Sequence, residues 1–594
     1  MAELPVPPGR AAPRARRGAA LAAAGTAALG LMVWAFLPRG ARDSGGMTGQ
    51  GTVLQQKGGF VDVAAERGID RTLASGSPEK LFIAENVGSG AAIFDYDGDG
   101  SPDIFLANAG YLREGKLLPG PGSALYRQLP SGRFEETAAR AGLLYDGWGT
   151  GVAVGDIDND ADPDLFLGTL DASRLYRNGG DGTFAECARA VGLWVSGFAT
   201  SAAFLDYDRD GELDLYVARY LRFDFADPPN RGRPCLENGV PISCGPTLHE
   251  PLPHLLFRNR GGGRFEDVTA PAGMGKQDGP YGLGVAAGDL DGDGWTDIYA
   301  ANDTTANFLW HNEGNGTFRE IGIEAGCALG ENAQDQSGMG VDLGDADGDG
   351  RPEIFVANYS EERNSYYRNL GGNSFDDRSS SSGLEEGSFL TLGWGTKFID
   401  YDQDGALDLF VVNGHVHPRA HDLNPALSYQ EPILFYRGDG AGRFRLAGAE
   451  LGPDAARPRA HRGAAVGDLD GDGGLDLLVT VIDSRPVLLL NRIADRGRSL
   501  IVRLRGVKSN REGIGARLEL RAGGKSQVRE ITRSGSYLSS SDAVAHFGLG
   551  TFPRAEGLRI AWPSGQVDTL GPLPAGATYL IEEGGKVLSR TLYK

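Results

Sequence analysis

The residues with most chemistry to offer are carboxylates at alternate positions. Asp289-Leu-Asp-Gly-Asp-Gly-Trp-Thr-Asp297 carries acids at its first, third, fifth and ninth places. Six further copies begin at Asp95, Asp156, Asp206, Asp345, Asp400 and Asp468, at steps of 61, 50, 83, 56, 55 and 68 residues. Like charges this close on a short loop resist ionising together unless a cation joins them. A hard cation suits them: Ca²⁺ takes six to eight oxygens at roughly 2.3–2.6 Å, which alternate side chains and a backbone carbonyl can supply. The acids at the four places give the ligand set: Asp95, Asp97, Asp99 and Asp103; Asp156, Asp158, Asp160 and Asp164; Asp206, Asp208, Asp210 and Asp214; Asp289, Asp291, Asp293 and Asp297; Asp345, Asp347, Asp349 and Glu353; Asp400, Asp402, Asp404 and Asp408; Asp468, Asp470, Asp472 and Asp476. Glycine at the sixth place permits a sharp turn. The second copy departs with Ala161, and the fifth closes on Glu353. About seven Ca²⁺ sites are expected. The competing reading is a set of acidic turns that only solubilise a β-protein.

The elements that must position these loops are strands. An EF-hand would need its last acid at the twelfth place and a helix on each side. Here the flanks are short, apolar and rich in β-formers, as in Ile104-Phe-Leu-Ala, Leu215-Tyr-Val-Ala and Ile354-Phe-Val-Ala. After each exit strand comes an aromatic-Arg-Asn strand, a Gly-rich turn and a strand led by Phe, seen cleanly from Leu175 to Phe184. Turns of the Gly-Asp-Gly kind supply the positive φ of tight hairpins. Each unit is thus four antiparallel strands, and a pattern recurring at this period, with four strands per unit, predicts a seven-bladed β-propeller over residues 58–495. The last unit lacks a Phe-led strand, and Phe60-Val-Asp-Val63 is the spare. The N-terminal strand is therefore expected to complete the last blade and close the ring.

Strand alternation puts the acidic loops on one face and the connections between second and third strands on the other. Three of those connections are long: Ala107 to Ser123, Arg219 to His254 and Asn413 to Pro432. Long loops on a rigid scaffold are where binding resides, so the functional face is expected opposite the calcium. Six of the eight histidines, His249, His254, His415, His417, His421 and His461, map there. His415, His417 and His461, with Asn302 and Asp303, form a candidate second site for a transition metal or a ligand, since imidazole suits Zn²⁺, Cu²⁺ or Fe²⁺. Asn358 and Tyr359 occupy positions equivalent to Asn302 and Asp303. The plainer alternative is polar residues capping strand ends.

The remaining signals set the context. A formal charge of −21 argues against nucleic acid as a partner, and the loop acids account for much of it. Residues 1–50 stand outside the fold: Arg10, Arg14, Arg16 and Arg17 precede an uncharged run from Gly18 to Leu37. Residues 18–37 read as a signal anchor with the basic end inside, followed by a linker; a cleaved signal peptide is the alternative. Either exports the rest of the chain to the cell surface, periplasm or extracellular space, where disulfides persist. Cys235 and Cys244, in the longest loop, are the expected disulfide; Cys187 and Cys327 read as small core residues. No zinc-finger spacing, phosphate loop or Gly-x-Ser-x-Gly elbow occurs.

After Asp495 the repeat stops, and period-2 strands over 498–590 predict a small all-β, sandwich-like domain. Its Lys508-Ser-Asn-Arg-Glu-Gly-Ile-Gly-Ala516, Gly535-Ser-Tyr-Leu-Ser539, His546-Phe-Gly-Leu-Gly550 and Trp562-Pro-Ser-Gly565 resemble the ASPIC and UnbV domain. The acidic units resemble the FG-GAP (VCBS-type) repeats of integrin α-subunit propellers. Together they are similar to the cartilage acidic protein family, in its bacterial-type form. The resemblance implies a secreted or surface Ca²⁺-binding protein and no agreed ligand or reaction. Two functions follow as expectations. The first is a binding module, with structural calcium, that holds a protein or glycan. The second is a metal-dependent enzyme or auxiliary biosynthetic protein using the histidines. The first is preferred, because no general acid–base pair stands outside the calcium loops.

Overall fold

The computed structural model describes residues 59–113, 116–277 and 279–594. The expected anchor at 18–37 lies outside them. Among the described residues no helix is long and apolar enough to cross a membrane.

The described chain is all-β, and its first part is a propeller. Seven four-stranded antiparallel sheets follow the repeat, each with an acidic loop between its first and second strands. We call them blades 1 to 7, with first strands Ala91–Phe94, Gly149–Gly155, Ala199–Leu205, Gly282–Gly288, Gly338–Gly344, Gly393–Ile399 and His461–Gly467. Each first strand packs against that of the next blade, and His461–Gly467 packs against Ala91–Phe94. Phe60–Asp62 pairs antiparallel with Val487–Asn491, setting Phe60 opposite Asn491, and so supplies the outer strand of blade 7. Its edge is thereby paired with the far end of the chain.

The core lies between blades, so both faces of each sheet are apolar and the inner strands are buried throughout. Leu215 and Val217 face blade 2, whereas Tyr216 and Ala218 face blade 4. Near the axis the strands crowd. A Cβ on Gly151 would stand 1.8 Å from the Thr200 carbonyl oxygen of the next blade, so only glycine fits there.

The C-terminal strands form two further four-stranded sheets. One has the order Ala545–Gly550, Arg498–Arg505, Ala577–Glu582, Lys586–Leu592, and the other Lys525–Glu530, Arg517–Ala522, Gly557–Ala561, Val567–Leu570. They share a core that includes Val502, Leu518, Phe547, Ile560 and Tyr579. The described residues form one compact unit, and the segment Arg533–Asp542 gives the reason. It leaves the sandwich and runs through the propeller axis. Ser540 exchanges backbone hydrogen bonds with Ala91 (2.9 Å) and Ile93 (3.1 Å) of blade 1, and the Leu538 carbonyl accepts from Val152 N–H of blade 2 at 2.8 Å. The Leu538 N–H donates to Ser201 Oγ of blade 3 at 3.0 Å, and Gly535 N–H to the Val285 carbonyl of blade 4 at 3.0 Å. Val341 of blade 5 pairs with Ser536, whose Oγ accepts from Thr396 N–H of blade 6 at 3.2 Å. Asp542 N–H reaches the Val466 carbonyl of blade 7 at 3.0 Å. One segment thus satisfies inward-facing backbone groups of six blades and bonds the Ser201 hydroxyl of the remaining one, groups that water or nothing would otherwise meet.

Candidate metal centres and binding site

Every acidic loop is built the same way. In the first, Gly100 N–H donates to Asp95 Oδ2 at 2.8 Å. Asp103 accepts Tyr96 N–H at 3.1 Å on one oxygen and Gln128 N–H at 2.7 Å on the other. The ninth-place carboxylate therefore also bolts the loop to the end of the third strand, a role that loop spacing alone does not reveal. Asp164, Asp214, Asp297 and Asp476 repeat it, with third-strand contacts of 2.7–2.9 Å. Glu353 reaches Asn369 N–H only at 3.4 Å, so its longer arm fits less closely.

Two backbone positions per loop are left-handed. The fourth place is one, held by Gly98 (φ 70°), Asn159 (59°), Arg209 (60°) and Gln403 (61°); the sixth is the other. Ala161 occupies the sixth place at φ 80°, a conformation that costs an alanine on the order of 1 kcal/mol. Ala161→Gly is accordingly expected to raise stability by about 1 kcal/mol in urea unfolding.

Burial sets the electrostatics. It pushes Asp103 and Asp164 up to about 8, and Asp156, Asp206, Asp400 and Asp468 up to about 7, with neighbouring carboxylates adding to the effect. Asp95 Oδ1, Asp158 Oδ1, Asp206 Oδ1, Asp345 Oδ1, Asp402 Oδ1 and Asp470 Oδ1 are buried and accept no hydrogen bond. In trios such as Asp95–Asp97–Asp99 and Asp206–Asp208–Asp210, one oxygen from each residue lies within 4.8 Å of the others. Buried, unpartnered oxygens in an all-oxygen donor set fit Ca²⁺.

The third strands supply partners for the third-place acid. Arg177 reaches Asp158 at 3.2 Å, Arg258 reaches Asp208 at 2.6 Å and Arg368 reaches Asp347 at 2.6 Å, while in blade 7 Arg492, just past the strand and its Asn491, reaches Asp470 at 2.5 Å. Arg127 and Arg437 pair closely with Asp97 and Asp402. In the fourth loop His311 stands there, 3.6 Å from Asp291. The asparagine that follows has a separate task. Asn178 Nδ2 donates to the Tyr96 carbonyl of the preceding blade at 2.9 Å, and Asn259, Asn312, Asn369 and Asn491 repeat the bond. Gln128 donates to the Leu469 carbonyl at 2.8 Å and carries it across the closure. Blade 6 has Gly438 at this place and no such side chain.

The C-terminal sandwich covers the acidic face. Arg511 N–H donates to Asn159 Oδ1, Asp289 N–H to Glu530 Oε2 and Lys594 N–H to the Gly471 carbonyl. The opposite face stays with the long connections. His461 is fully buried; its Nδ1 bonds the Asn413 carbonyl at 2.8 Å and its Nε2 has no partner. His415 uses both nitrogens, accepting His417 N–H on Nδ1 and bonding Ser360 Oγ through Nε2 at 3.2 Å. The expected trio therefore does not present three free nitrogens to one metal. Asn302 caps its turn, donating to the Ala306 carbonyl at 2.8 Å, and Asn358 does the same to Arg363. For these two the capping alternative describes what is seen. Asp303 is buried and accepts Tyr220 Oη at 2.5 Å.

Burial holds His461 down to about 3. A folded value below the unfolded one of about 6.5 means that stability is full above pH 6.5 and falls as pH drops toward 3. The loss is about 1 kcal/mol between pH 6.5 and 5.5 for this group. Urea unfolding in excess calcium should show that slope reduced by this amount in His461→Gln.

Asp303, Tyr220, Tyr359, Trp394 and His417 line a chamber of about 280 Å³ on the mouth side of the axis. Its outer wall is the hairpin Cys235–Glu237/Val240–Ile242, closed by the Cys235–Cys244 disulfide with Cα atoms 5.0 Å apart. Cys327 is buried and Cys187 half-buried, both as free thiols.

Residues 506–587 match the ASPIC and UnbV family. Residues 95–167, 162–217, 254–300, 289–356 and 345–411 match the FG-GAP-like repeat. Cartilage acidic protein 1 of Mus musculus is 30% identical over 339 residues, covering 54% of this chain and 47% of that protein. The Homo sapiens protein is 30% identical over 339 residues, covering 54% and 46%. The chain spans about half the length of these relatives. A solved lectin from Agrocybe aegerita is similar at TM-score 0.35 and 17% identity, over 66% of this chain and 88% of that one, a likeness that carries no argument. With FG-GAP-like repeats on the blades, and the ASPIC and UnbV match on the sandwich that plugs them, the chain carries both of these domain types and is similar to cartilage acidic protein 1.

Proposed function

We propose that this protein is an exported interaction module in which calcium is structural. The loops hold Ca²⁺ through the acids at places one, three, five and nine, and the mouth opposite them holds a protein or glycan partner. The observation that carries the calcium half is the recurrence of buried carboxylate oxygens without a donor in six of the seven loops. Calcium would supply charge to those oxygens. The chain's own contribution is to hold them in register through the left-handed loop positions, the ninth-place bolt and the Asn bridge between blades. The binding half rests on the division of faces: the sandwich covers the acidic side, and the long loops frame a chamber on the other. The disulfide-closed hairpin at its rim suits an oxidising compartment, and the net charge of −21 argues against nucleic acid as the partner.

Elemental analysis of the purified full chain tests this. About seven calcium per chain and no stoichiometric transition metal is the expected result. Calcium below one per chain after dialysis in millimolar Ca²⁺ would remove the calcium reading. One copper, zinc or iron, lost in His417→Ala/His461→Ala, would replace the binding module with the metal-enzyme alternative.

A further inference from the structure

The chamber at the mouth has a chemistry of its own. The tip of the axial segment lies behind two of its lining residues: Tyr537 packs on Trp394 with ring centroids 4.8 Å apart, and its Oη donates to the Val87 carbonyl at 3.2 Å. On one side stand Asp303 and Thr304 of blade 4, on the other Asn86 of the helix Ala84–Val87, and above them Glu237 and Ser243 of the disulfide hairpin. Tyr220, Tyr359, Met339 and Trp394 complete the wall.

The polar lining holds hydroxyls, the Asn86 amide and the His417 imidazole, and its carboxylates have no cationic side chain opposite them. Glu237 and Asp303 are the carboxylates among the lining residues, and no lysine or arginine accompanies them. Asn86 is 3% exposed and its orientation is set, because Nδ2 donates to Ser243 Oγ at 2.8 Å; Oδ1 is left buried without a donor. Outside the lining, Glu361 and Glu362 join Asp303 and Glu237 in acting on the Tyr359 hydroxyl, all four in the same sense. The nearest arginine, Arg462, lies over Trp394 at 4.2 Å and is spent on the carbonyls of Asn86, Gly414 and His461. An unpartnered buried acceptor costs about 1–3 kcal/mol, so the missing component is a donor. An anion would meet the carboxylates, and a neutral group would leave their charge uncompensated.

We infer that the chamber binds an organic ammonium group, whose N–H donors go to Asp303, Asn86 Oδ1 and Glu237 and whose alkyl stem lies against Tyr359 and Met339. An ammonium carries three donors and no acceptor, which matches this inventory, and the volume suits a side-chain-sized group near the lower limit of ligand pockets. The inference rests on reading the mouth as the binding face. The two sources of such a group, a free amine and a lysine side chain of a partner, are separated by the test.

The test is calorimetric titration of the full chain in excess CaCl₂ with cadaverine, Nα-acetyl-lysine amide, a Gly-Lys-Gly peptide and the neutral isostere Nα-acetyl-norleucine amide. The cationic probes are expected to bind and the isostere not. Asp303→Asn should weaken the amine at least tenfold and Glu237→Gln at least threefold, while Asn86→Asp should tighten it. Cadaverine binding more tightly than the peptide assigns the site to free amines; the reverse assigns it to a lysine side chain. Equal binding of amine and isostere, binding unchanged in Glu237→Gln and Asp303→Asn, or no binding of any cationic probe at millimolar concentration overturns the inference. Glu237 is on the exposed hairpin, so its variant stays informative if Asp303→Asn misfolds. Calcium content measured on the same samples separates failure here from failure of the calcium reading.

Discussion

Gly90→Ala is expected to expel the axial segment and to cost about 3 kcal/mol or more, a value at the high end for a single added methyl. The added Cβ would lie 1.7 Å from the Leu538 carbonyl oxygen and 3.0 Å from Leu538 Cβ. The obstacle is backbone, so no rotamer change relieves it. The Leu538 carbonyl is also the acceptor for Val152 N–H, and Leu538 N–H is the donor to Ser201 Oγ. Shifting that residue breaks both bonds and leaves their partners facing an apolar channel, where each lost partner costs about 1–3 kcal/mol. Gly571→Ala is the control, since nothing lies within 4 Å of its added Cβ. Urea unfolding measures the cost, and limited proteolysis reads the position of the segment: cleavage within Arg533–Asp542 should appear in Gly90→Ala and not in Gly571→Ala. A Gly90→Ala protein as stable and as protected as wild type would show that the segment does not hold the ring together.

That segment marks the boundary of what the sequence made legible. The acidic loops, the strands around them and the use of Phe60–Asp62 to finish the last blade follow from local periodicity and from counting strands, and the structure has that topology. Gly535-Ser-Tyr-Leu-Ser539 was visible as a family motif, but its partners lie up to about 450 residues away. Nothing in local pattern says that the first strands of the blades leave hydrogen-bonding groups for it. The same limit hid the third-strand bonds. Arg-Asn reads as a repeat signature, yet the arginine acts on its own blade's loop and the asparagine on the preceding one, a division set by how the sheets stack. The histidines are a different case. Six on one face suggested a cluster, and His415 and His417 do come together, with ring centroids 5.4 Å apart, while others are held by local partners. His254 is fully buried against Tyr216 Oη at 2.6 Å, and His415 uses both nitrogens locally. Asp303 was legible as a residue of the mouth, but Asn86 and Glu237 join it there only because three distant segments meet.

Chelation is expected to have the largest effect on the protein. Extracellular-type sites bind calcium with Kd of about 10⁻⁴–10⁻³ M, so 10 mM Ca²⁺ stabilises each by roughly 1.4–2.7 kcal/mol through mass action. Seven such loops contribute on the order of 10 kcal/mol, comparable with the whole stability of a typical domain, about 5–15 kcal/mol. At about 2 cal/mol/K of unfolding entropy per residue, a unit of this size loses about 1 °C of Tm per kcal/mol, so EDTA should lower Tm by about 10 °C. The third-strand arginines limit the damage, because Arg258 at 2.6 Å from Asp208 and Arg368 at 2.6 Å from Asp347 return part of the missing charge. A single ligand loss should do much less. Asp291→Ala removes one site and the 2.8 Å bond from Asn373 Nδ2, which together are worth about 2–4 kcal/mol. Calorimetric melts in 10 mM CaCl₂ and in EDTA, for wild type and Asp291→Ala, supply the comparison. If EDTA leaves Tm within 2 °C of the calcium value, the buried loop carboxylates must be neutralised by protons and arginine alone, and calcium is not what joins the blades.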